Sequence, residues 1–312
     1  MKTFLISAPL ALTFIALSFL GASVAQAKLN VVTTTTDLAA MIDVIGGDQV
    51  STFAVAKGTQ DPHQIEAKPS FMTKMTNADL VVAQGLELEA AWIRPLIEGA
   101  RNPKIQIGSR GYYELGEAID PIEVPTGSVT RAQGDVHPGG NPHFQLDPIR
   151  MGKAAELVAE RMGEIDSAHH EQFKNNAAAF QKKLTEKTKE WQARITKTGI
   201  KEVVTYHKTI SYFLNRFGVR SNWQLEPKPG IPPTATHLIA VINEMKSHNI
   251  KLVLIENFYD DSPATKLRQE IPDVAVARVA VSVRGDDNTE STEALIEKLV
   301  KVFETEGSKL KK

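Results

Sequence analysis

A stretch from residue 167 to about residue 198 contains neither glycine nor proline and is filled with Ala, Lys, Glu, Gln and Leu. These residues are strong helix formers, so the stretch predicts one long α-helix. A helix of about 31 residues would be roughly 45 Å long, which exceeds the width of a typical small domain. We therefore expect a rod that links two lobes. Two shorter helices with a bend near Thr185 are the alternative.

On both sides of this stretch, short segments rich in β-branched residues alternate with segments that carry apolar residues at helical spacing. The predicted strands are residues 29–34, 50–55, 78–84 and 104–107 on the N-terminal side, and 201–206, 223–225, 251–255 and 274–281 on the C-terminal side. Such alternation is typical of parallel βαβ units. The predicted fold class is therefore α/β, with two (β/α) lobes whose parallel sheets are linked by one long rigid α-helix. Ligands of open α/β sheets bind beyond the carboxyl ends of the strands, so we expect the binding site in the cleft between the lobes.

The expected domain limits are 28–150 for an N-terminal α/β lobe, 151–198 for a helical region that includes the linking helix, and 199–312 for a C-terminal α/β lobe. Within the first of these, residues 108–141 are rich in glycine and proline and have little apolar periodicity, which predicts an irregular surface excursion. Asp147 and Pro148 then predict the start of a helix, with Asp147 as its N-cap.

Residues 1–27 have the composition of a signal peptide. A short charged start is followed by an apolar stretch that ends in Ala25-Gln26-Ala27, and these small residues predict cleavage after Ala27. An uncleaved membrane anchor is the alternative. The chain contains no cysteine, so a lipid anchor of the bacterial lipoprotein type has no attachment point. We therefore expect a protein that is freely soluble in the periplasm.

Charge and cysteine content exclude several classes of function. The chain has 36 Lys and Arg residues against 37 Asp and Glu residues and no long basic run, so it lacks the electrostatic footprint of a nucleic-acid-binding protein. The absence of cysteine also excludes a thiolate nucleophile, iron–sulfur ligation and cysteine-containing zinc sites. Any metal chemistry must therefore use histidine and carboxylate side chains.

Three histidines lie where a site between two α/β lobes is expected. His63 and His143 each follow a proline, which stiffens the turn that presents the imidazole, and His207 comes directly after a predicted strand. A single loop histidine is more often an ordinary polar residue than a ligand. Taken together, however, the three are expected to face one cleft, and neutral imidazole is the commonest metal ligand in proteins. Three imidazoles without cysteine suit tetrahedral Zn²⁺ with one further position to fill.

The other five histidines are not predicted to belong to the site. His137 lies in the glycine-rich excursion and is expected to be exposed to solvent, with an auxiliary, low-affinity metal contact as the alternative. The remaining four are expected on helix surfaces: His169, His170, His237 and His248. We accordingly predict that His207→Ala abolishes tight metal binding and that His137→Ala leaves it nearly unchanged.

Four spaced motifs resemble a known family. They are Asp-Pro-His at 61–63, Asn-Pro-His-Phe-Gln-Leu-Asp-Pro at 141–148, Tyr-His-Lys-Thr-Ile-Ser-Tyr-Phe at 206–213, and Glu-Pro-Lys-Pro-Gly-Ile-Pro-Pro-Thr at 226–234. In this order they resemble the metal-binding solute-binding proteins of bacterial zinc and manganese ABC importers. The resemblance implies two (β/α) lobes bridged by a rigid helix, one transition-metal ion between them, and delivery to an inner-membrane permease with a cytoplasmic ATPase. It places His63, His143 and His207 at three ligand positions of the family.

Several residues are candidates for the fourth ligand position. The resemblance implies a carboxylate from a loop after a late strand of the second lobe, but residues 279–285 contain no acid, and Asp286 and Asp287 follow only afterwards. Glu256, at the end of the predicted strand 251–255, is the preferred replacement, with Asp286, Asp287 or a water molecule as alternatives. Glu256 could equally be a second-shell acceptor that orients a ligand histidine.

The sequence-based hypothesis is a monomeric periplasmic binding protein that captures a divalent metal ion and performs no catalysis. Zinc is preferred over manganese, because Mn²⁺ favours carboxylate oxygen whereas three imidazoles favour Zn²⁺. A secreted zinc metallohydrolase is the alternative from another class, since three histidines and an open position also describe a catalytic zinc site. A periplasmic metal buffer that works without a permease is a third possibility.

Overall fold

The computed structural model describes residues 27–130 and 133–310 of the chain. Apart from Ala27, the predicted signal peptide lies outside the described residues. Within the described part, no helix combines the length and the apolar character needed to cross a bilayer.

The N-terminal lobe contains a four-stranded parallel sheet. Its strands are β1 (Leu29–Thr33), β2 (Val50–Ala54), β3 (Leu80–Ala83) and β4 (Tyr112–Glu114), and they are arranged in the order β2-β1-β3-β4. The helices are α1 (Thr36–Gly46), α2 (Pro69–Thr76) and α3 (Ile93–Ala100). Thr35 caps α1, because its side chain accepts a hydrogen bond from the backbone N–H of Leu38.

The prediction of a strand at residues 104–107 was wrong. Pro103–Ile105 forms a 3₁₀ turn, which the Asn102 side chain caps by accepting from the backbone N–H of Lys104. The fourth strand is β4, inside the stretch that the sequence assigned to an irregular excursion, and it pairs with β3 from Val81↔Tyr112 onward. A strand of three residues is too short for its alternation to stand out in the sequence.

Two helices follow the N-terminal lobe, α4 (Pro148–Ile165) and α5 (His170–Thr198). The predicted start of α4 is confirmed: Asp147 is its N-cap, and Asp147 Oδ1 accepts the backbone N–H groups of Ile149 and Arg150. The long linking helix is confirmed as well. It runs without interruption for 29 residues and ends at Gly199, whose φ of +80° belongs to the left-handed region that favours glycine.

The C-terminal lobe repeats the arrangement of the first. Its parallel strands are β5 (Glu202–Thr205), β6 (Arg220–Gln224), β7 (Leu252–Glu256) and β8 (Ala275–Val279), in the order β6-β5-β7-β8. The helices are α6 (Ser211–Phe217), α7 (Ala235–Ser247), α8 (Ser262–Glu270) and α9 (Thr292–Leu310). The predicted fold class of two parallel-sheet α/β lobes linked by a long helix is confirmed, while the numerical limits of the domains stay predictions.

Helix α5 packs against both lobes with one buried face, which consists of Phe173, Ala177, Phe180, Leu184, Trp191, Ile195 and Thr198. All of these side chains except Thr198 belong to a single hydrophobic cluster that also includes Val31 of β1 and Leu252 of β7. Toward its C-terminus, α5 is fixed to α9, where Trp191 Nε1 donates to Glu297 Oε2 at 2.9 Å. The linking helix is therefore part of a core that the two lobes share.

Candidate metal centre

The three predicted ligand histidines lie beyond the carboxyl ends of the strands, where the two lobes face each other. His63 lies in the loop between β2 and α2, and His143 precedes the 3₁₀ turn Phe144–Leu146 that leads into α4. His207 comes two residues after the end of β5, the strand that pairs with both β6 and β7. In each sheet the first strand of the lobe lies between the second and the third, so the next strands are added on opposite sides of it. Open α/β sheets form a crevice at such a switch point.

The structure brings His63, His143 and His207 together. Their ring centroids are 5.1 Å apart for His63 and His143, and 5.5 Å apart for each of the two pairs that include His207. One ring nitrogen from each histidine lies within 4.8 Å of the other two. Two nitrogens bound to one tetrahedral zinc ion at about 2.0–2.1 Å lie about 3.3 Å apart, so small side-chain movements would place all three on one ion.

His143 provides the strongest local indication of a missing ligand. Its side chain is 2% exposed, and neither ring nitrogen has a hydrogen-bond partner among the described residues. Buried polar atoms in folded proteins nearly always have a partner, whether from the protein, water or a bound ion. Burial also lowers the pKa of His143 well below its usual value, which keeps the imidazole neutral and able to bind a metal.

His207 is held by a buried carboxyl group. Its Nδ1 is hydrogen-bonded to Oε1 of Glu226, and Oε2 of Glu226 accepts the backbone N–H of Gly230 at 3.0 Å. Burial lowers the pKa of His207 to about 3 and raises the pKa of Glu226 to about 8, because the low-dielectric surroundings disfavour the charged form of each group. The contact with Nδ1 leaves Nε2 of His207 available to a metal.

His63 has a similar partner in Asp61. Nδ1 of His63 lies 2.8 Å from Oδ1 of Asp61, and the backbone N–H of His63 donates to the same oxygen at 3.0 Å. Burial raises the pKa of Asp61, but its hydrogen bonds and charge interaction with His63 outweigh this effect, and the net pKa is below the usual value. Asp61 is therefore an ionised acceptor that fixes the ring of His63.

The expectation that His137 is solvent-exposed was wrong. The side chain is partly buried, and its Nε2 lies 3.2 Å from Nε2 of His63, with the two ring centroids 5.3 Å apart. The pKa of His137 is lowered to about 4, and burial is the largest cause. The only indication in the sequence was its position six residues before His143, which does not distinguish a residue over the site from one in a solvent-exposed loop.

The carboxylates proposed as the fourth ligand lie elsewhere. Glu256 is fully buried at the end of β7 and does not join the three-histidine group. Burial raises its pKa to about 8, which favours a neutral carboxyl group and weakens it as a ligand at neutral pH. Asp286 is paired with Lys298, and Asp287 is exposed on the surface. A ligand role for Glu256 stays a prediction that this geometry does not support.

Glu226 was missed by sequence reasoning, although it belongs to a motif that was singled out. It lies two residues beyond β6, which pairs with β5, so the neighbouring strand ends of β5 and β6 bring it next to His207. The four histidines expected on helix surfaces lie outside the group and contact other side chains or backbone: His169, His170, His237 and His248.

A family of known proteins matches nearly the whole described chain. The family described as zinc-uptake complex component A, periplasmic, matches residues 31–306. The chain belongs to this family. It is therefore a metal-binding protein of the kind that works with an ABC permease, and the relatives of this kind are substrate-binding proteins and not enzymes.

Individual relatives agree with this assignment. The chain is 27% identical over 243 residues to the metal ABC transporter substrate-binding lipoprotein ScbA of Streptococcus cristatus, covering 76% of this chain and 75% of the relative. It is 24% identical over 270 residues to the manganese ABC transporter substrate-binding lipoprotein scaA of Streptococcus gordonii, covering 84% of both. In fold it resembles the crystal structure of ZnuA, with a TM-score of 0.76, 19% identity, and coverage of 90% of this chain and 99% of that one.

These relatives contradict the prediction of a periplasmic protein without a lipid anchor, since ScbA and scaA are both named as lipoproteins. The prediction rested on the absence of cysteine, which concerns a single attachment chemistry. That absence was too narrow a basis for the prediction.

Proposed function

We propose that this protein captures one divalent transition-metal ion, zinc in preference to manganese, with His63, His143 and His207, and delivers it to an ABC permease. The observation that carries the proposal is the buried His143, both of whose ring nitrogens lack a hydrogen-bond partner among the described residues although two other imidazoles lie within ligand distance. A metal ion bound by all three rings would satisfy one of these two nitrogens.

The donor set supports the preference for zinc. The described group of candidate ligands consists of three imidazoles and no carboxylate, whereas Mn²⁺ favours oxygen ligands and higher coordination numbers. One relative, scaA, is named for manganese, so family membership does not decide between the two metals. The preference rests on the chemistry of the histidines in this chain.

We assign the fourth position to a neutral donor, which is a water molecule or His137. Asp61 and Glu226 each contact the Nδ1 atom of a ligand histidine. Asp61 is ionised, and Glu226, whose raised pKa of about 8 keeps it largely protonated, would lose its proton next to a cation, so the two groups would balance the charge of a divalent ion. Nε2 of His137 lies 3.2 Å from Nε2 of His63, a separation that suits two ligands of one zinc ion. A first-shell carboxylate is therefore unnecessary for charge balance.

No specific observation favours the metallohydrolase alternative. A hydrolase needs a general base next to the metal-bound water, and Glu256, the carboxyl group considered above as the fourth ligand, lies outside the histidine group. The family assignment points in the same direction, since the relatives are transport proteins.

Titration with zinc and manganese tests the proposal. The wild-type protein should bind one zinc ion per chain, and manganese should compete for the same site only weakly. His143→Ala removes one of three ligands and should weaken zinc binding at least 100-fold. His170→Ala is the matched control, because His170 lies on α5 and contacts Glu160 away from the site. Equal affinities of the two variants would rule out the assigned ligand set.

A further inference from the structure

Two segments from opposite lobes meet at the histidine group. One is Gly134–His137, in the connection between β4 and α4, and the other is Glu226–Gly230, which follows β6. The backbone N–H of Asp135 donates to the backbone O of Pro229 at 2.9 Å. We call this contact between the two segments the clasp.

Two glycines lie at the clasp, and at one of them, Gly134, the partner backbone leaves no room for a side chain. A Cβ atom on Gly134 would lie 2.2 Å from the backbone O of Pro229, and a Cβ atom on Gly230 would lie 2.1 Å from Oδ2 of Asp135. Both glycines also have positive φ angles, +81° at Gly134 and +76° at Gly230. The close backbone approach therefore requires glycine at Gly134, whereas at Gly230 the positive φ angle favours glycine and the nearby Asp135 side chain could rotate away.

Each half of the clasp is connected to a ligand histidine. On the C-terminal side, Glu226 contacts His207 through one carboxyl oxygen and accepts the backbone N–H of Gly230 through the other. On the N-terminal side, His137 places its Nε2 atom 3.2 Å from Nε2 of His63. If the ring of His207 or of His63 moves, the clasp segment that contacts it must therefore adjust as well.

The clasp also borders the cavity next to the ligands. That cavity is lined by Asp135, His137 and Pro229 together with His143 and His207. A metal ion held by the histidines would thus have the clasp segments as part of its wall. Separation of Gly134–His137 from Pro229 would open that wall to solvent.

We propose that the clasp between Gly134–His137 and Glu226–Gly230 controls the rate at which the metal ion is exchanged. This role rests on the proposed function of the three histidines. The clasp joins the lobes by a backbone contact at the site itself. Metal release then requires local separation of the two segments and leaves the shared core around α5 intact.

The test uses three alanine variants of the full protein. Gly134→Ala places a Cβ atom against the backbone O of Pro229 and forces the two segments apart, and Gly230→Ala displaces the Asp135 side chain and strains the positive-φ backbone of the other segment. Gly108→Ala is the matched control, because Gly108 also has a positive φ, +86°, but a Cβ atom there would meet nothing within 4 Å. The control thus reproduces the backbone strain of the substitution without the collision.

Two measurements are made on each variant. The first is hydrogen exchange of the Asp135 backbone amide in chelator-treated protein. We expect wild type and Gly108→Ala to protect this amide, and the two clasp variants to exchange it at least 10-fold faster. The second is the rate of zinc release into excess chelator, followed in a stopped-flow instrument. We expect release at least 10-fold faster from both clasp variants, with Gly108→Ala at the wild-type rate.

The outcomes separate failure of the clasp from failure of the metal site. An unprotected Asp135 amide in wild type would overturn the clasp as a contact in solution. Zinc binding with an unchanged release rate in both clasp variants would overturn its role in exchange and leave the histidine site standing. A wild-type protein that takes up no zinc would overturn the proposed function, and the role of the clasp in exchange with it.

Discussion

The three histidines of the site differ in what holds their rings. His63 and His207 each have a carboxyl partner at Nδ1, from Asp61 and Glu226, whereas neither nitrogen of His143 has a partner among the described residues. The carboxyl partners set the tautomer of two rings before any metal arrives. His143 is fixed by burial alone, so its orientation is expected to depend most on the bound ion.

Glu226→Gln tests the role of a second-shell partner. A glutamine amide cannot accept hydrogen bonds at both of its terminal atoms, so the contact with either His207 or Gly230 is lost. We expect zinc affinity to fall by roughly 10- to 100-fold, because loss of such partners typically has effects of this size. Competition with a chromophoric zinc chelator measures the change. Glu186→Gln, an exposed position on α5, should bind like wild type; a wild-type affinity for Glu226→Gln would remove this residue from the account.

A buried carboxyl group gives the fold a pH dependence of known sign. Asp37 lies at the start of α1, its Oδ1 accepts the backbone N–H of Val283 at 2.9 Å, and burial raises its pKa from 3.8 to about 7. Between about pH 4 and pH 7 the folded state binds a proton that the unfolded state has lost. The free energy of unfolding therefore falls as pH rises through this window, by up to about 1.4 kcal/mol per pH unit from one such group.

Asp37→Asn should reduce this pH dependence. Asparagine keeps the oxygen that accepts from Val283 and removes the titration, so the variant should lose less stability than wild type between pH 4 and pH 7. Urea unfolding of chelator-treated protein at the two pH values measures the difference. Asp48→Asn, at an exposed position, is the control and should retain the wild-type slope. An identical slope for all three proteins would contradict the assigned titration.

Sequence reasoning singled out the three histidines that the structure brings together, because each lies at a recognisable place in the order of predicted elements. His207 follows a predicted strand, and His63 and His143 follow prolines. Glu226 and His137 could not be assigned in the same way, since their contacts depend on the separation of strand ends and on the path of an irregular segment. Neither property has a local pattern in the sequence.

At the scale of elements, the long helix and the short fourth strand show what composition can predict. Most of the 29 residues of α5 are strong helix formers, and none is glycine or proline. The local preference of this segment for a helix therefore agrees with its place in the fold. Strand β4 has only three residues, and its pairing with β3 stabilises it as a strand. The turn that replaced the predicted strand is instead set by a side-chain cap, at Asn102.

Truncation of α5 at its buried face should be costly. Leu184 is fully buried in the cluster that the two lobes share, so Leu184→Ala should lower the free energy of unfolding by about 2–5 kcal/mol through lost burial and a residual cavity. Chemical denaturation measures the change. Lys182→Ala, two residues away on the exposed side, should change stability by less than about 0.5 kcal/mol. If both substitutions had small effects, α5 could not be the core element described above.

At the scale of the whole molecule, two sheets with the same strand order face one cleft and share one core. The lobes also meet through buried polar contacts on the cleft side: the Gln84 side chain donates to Gln145 Oε1 at 2.8 Å, and Gln145 donates to the backbone O of Val281 at 3.3 Å. The Thr36 hydroxyl donates to the backbone O of Val283 at 2.6 Å. These contacts fix the two lobes relative to each other, and the proposed ligands of the ion come from both of them.

The proposed metal site and the proposed role of the clasp both require three imidazoles to bind a single ion. X-ray absorption spectroscopy at the zinc edge, on protein loaded with one equivalent of zinc, counts the ligand nitrogens and detects the multiple scattering of imidazole rings. We expect at least three imidazoles at about 2.0–2.1 Å, and one fewer after a histidine of the group is replaced. A spectrum dominated by oxygen ligands with at most one imidazole would contradict the site.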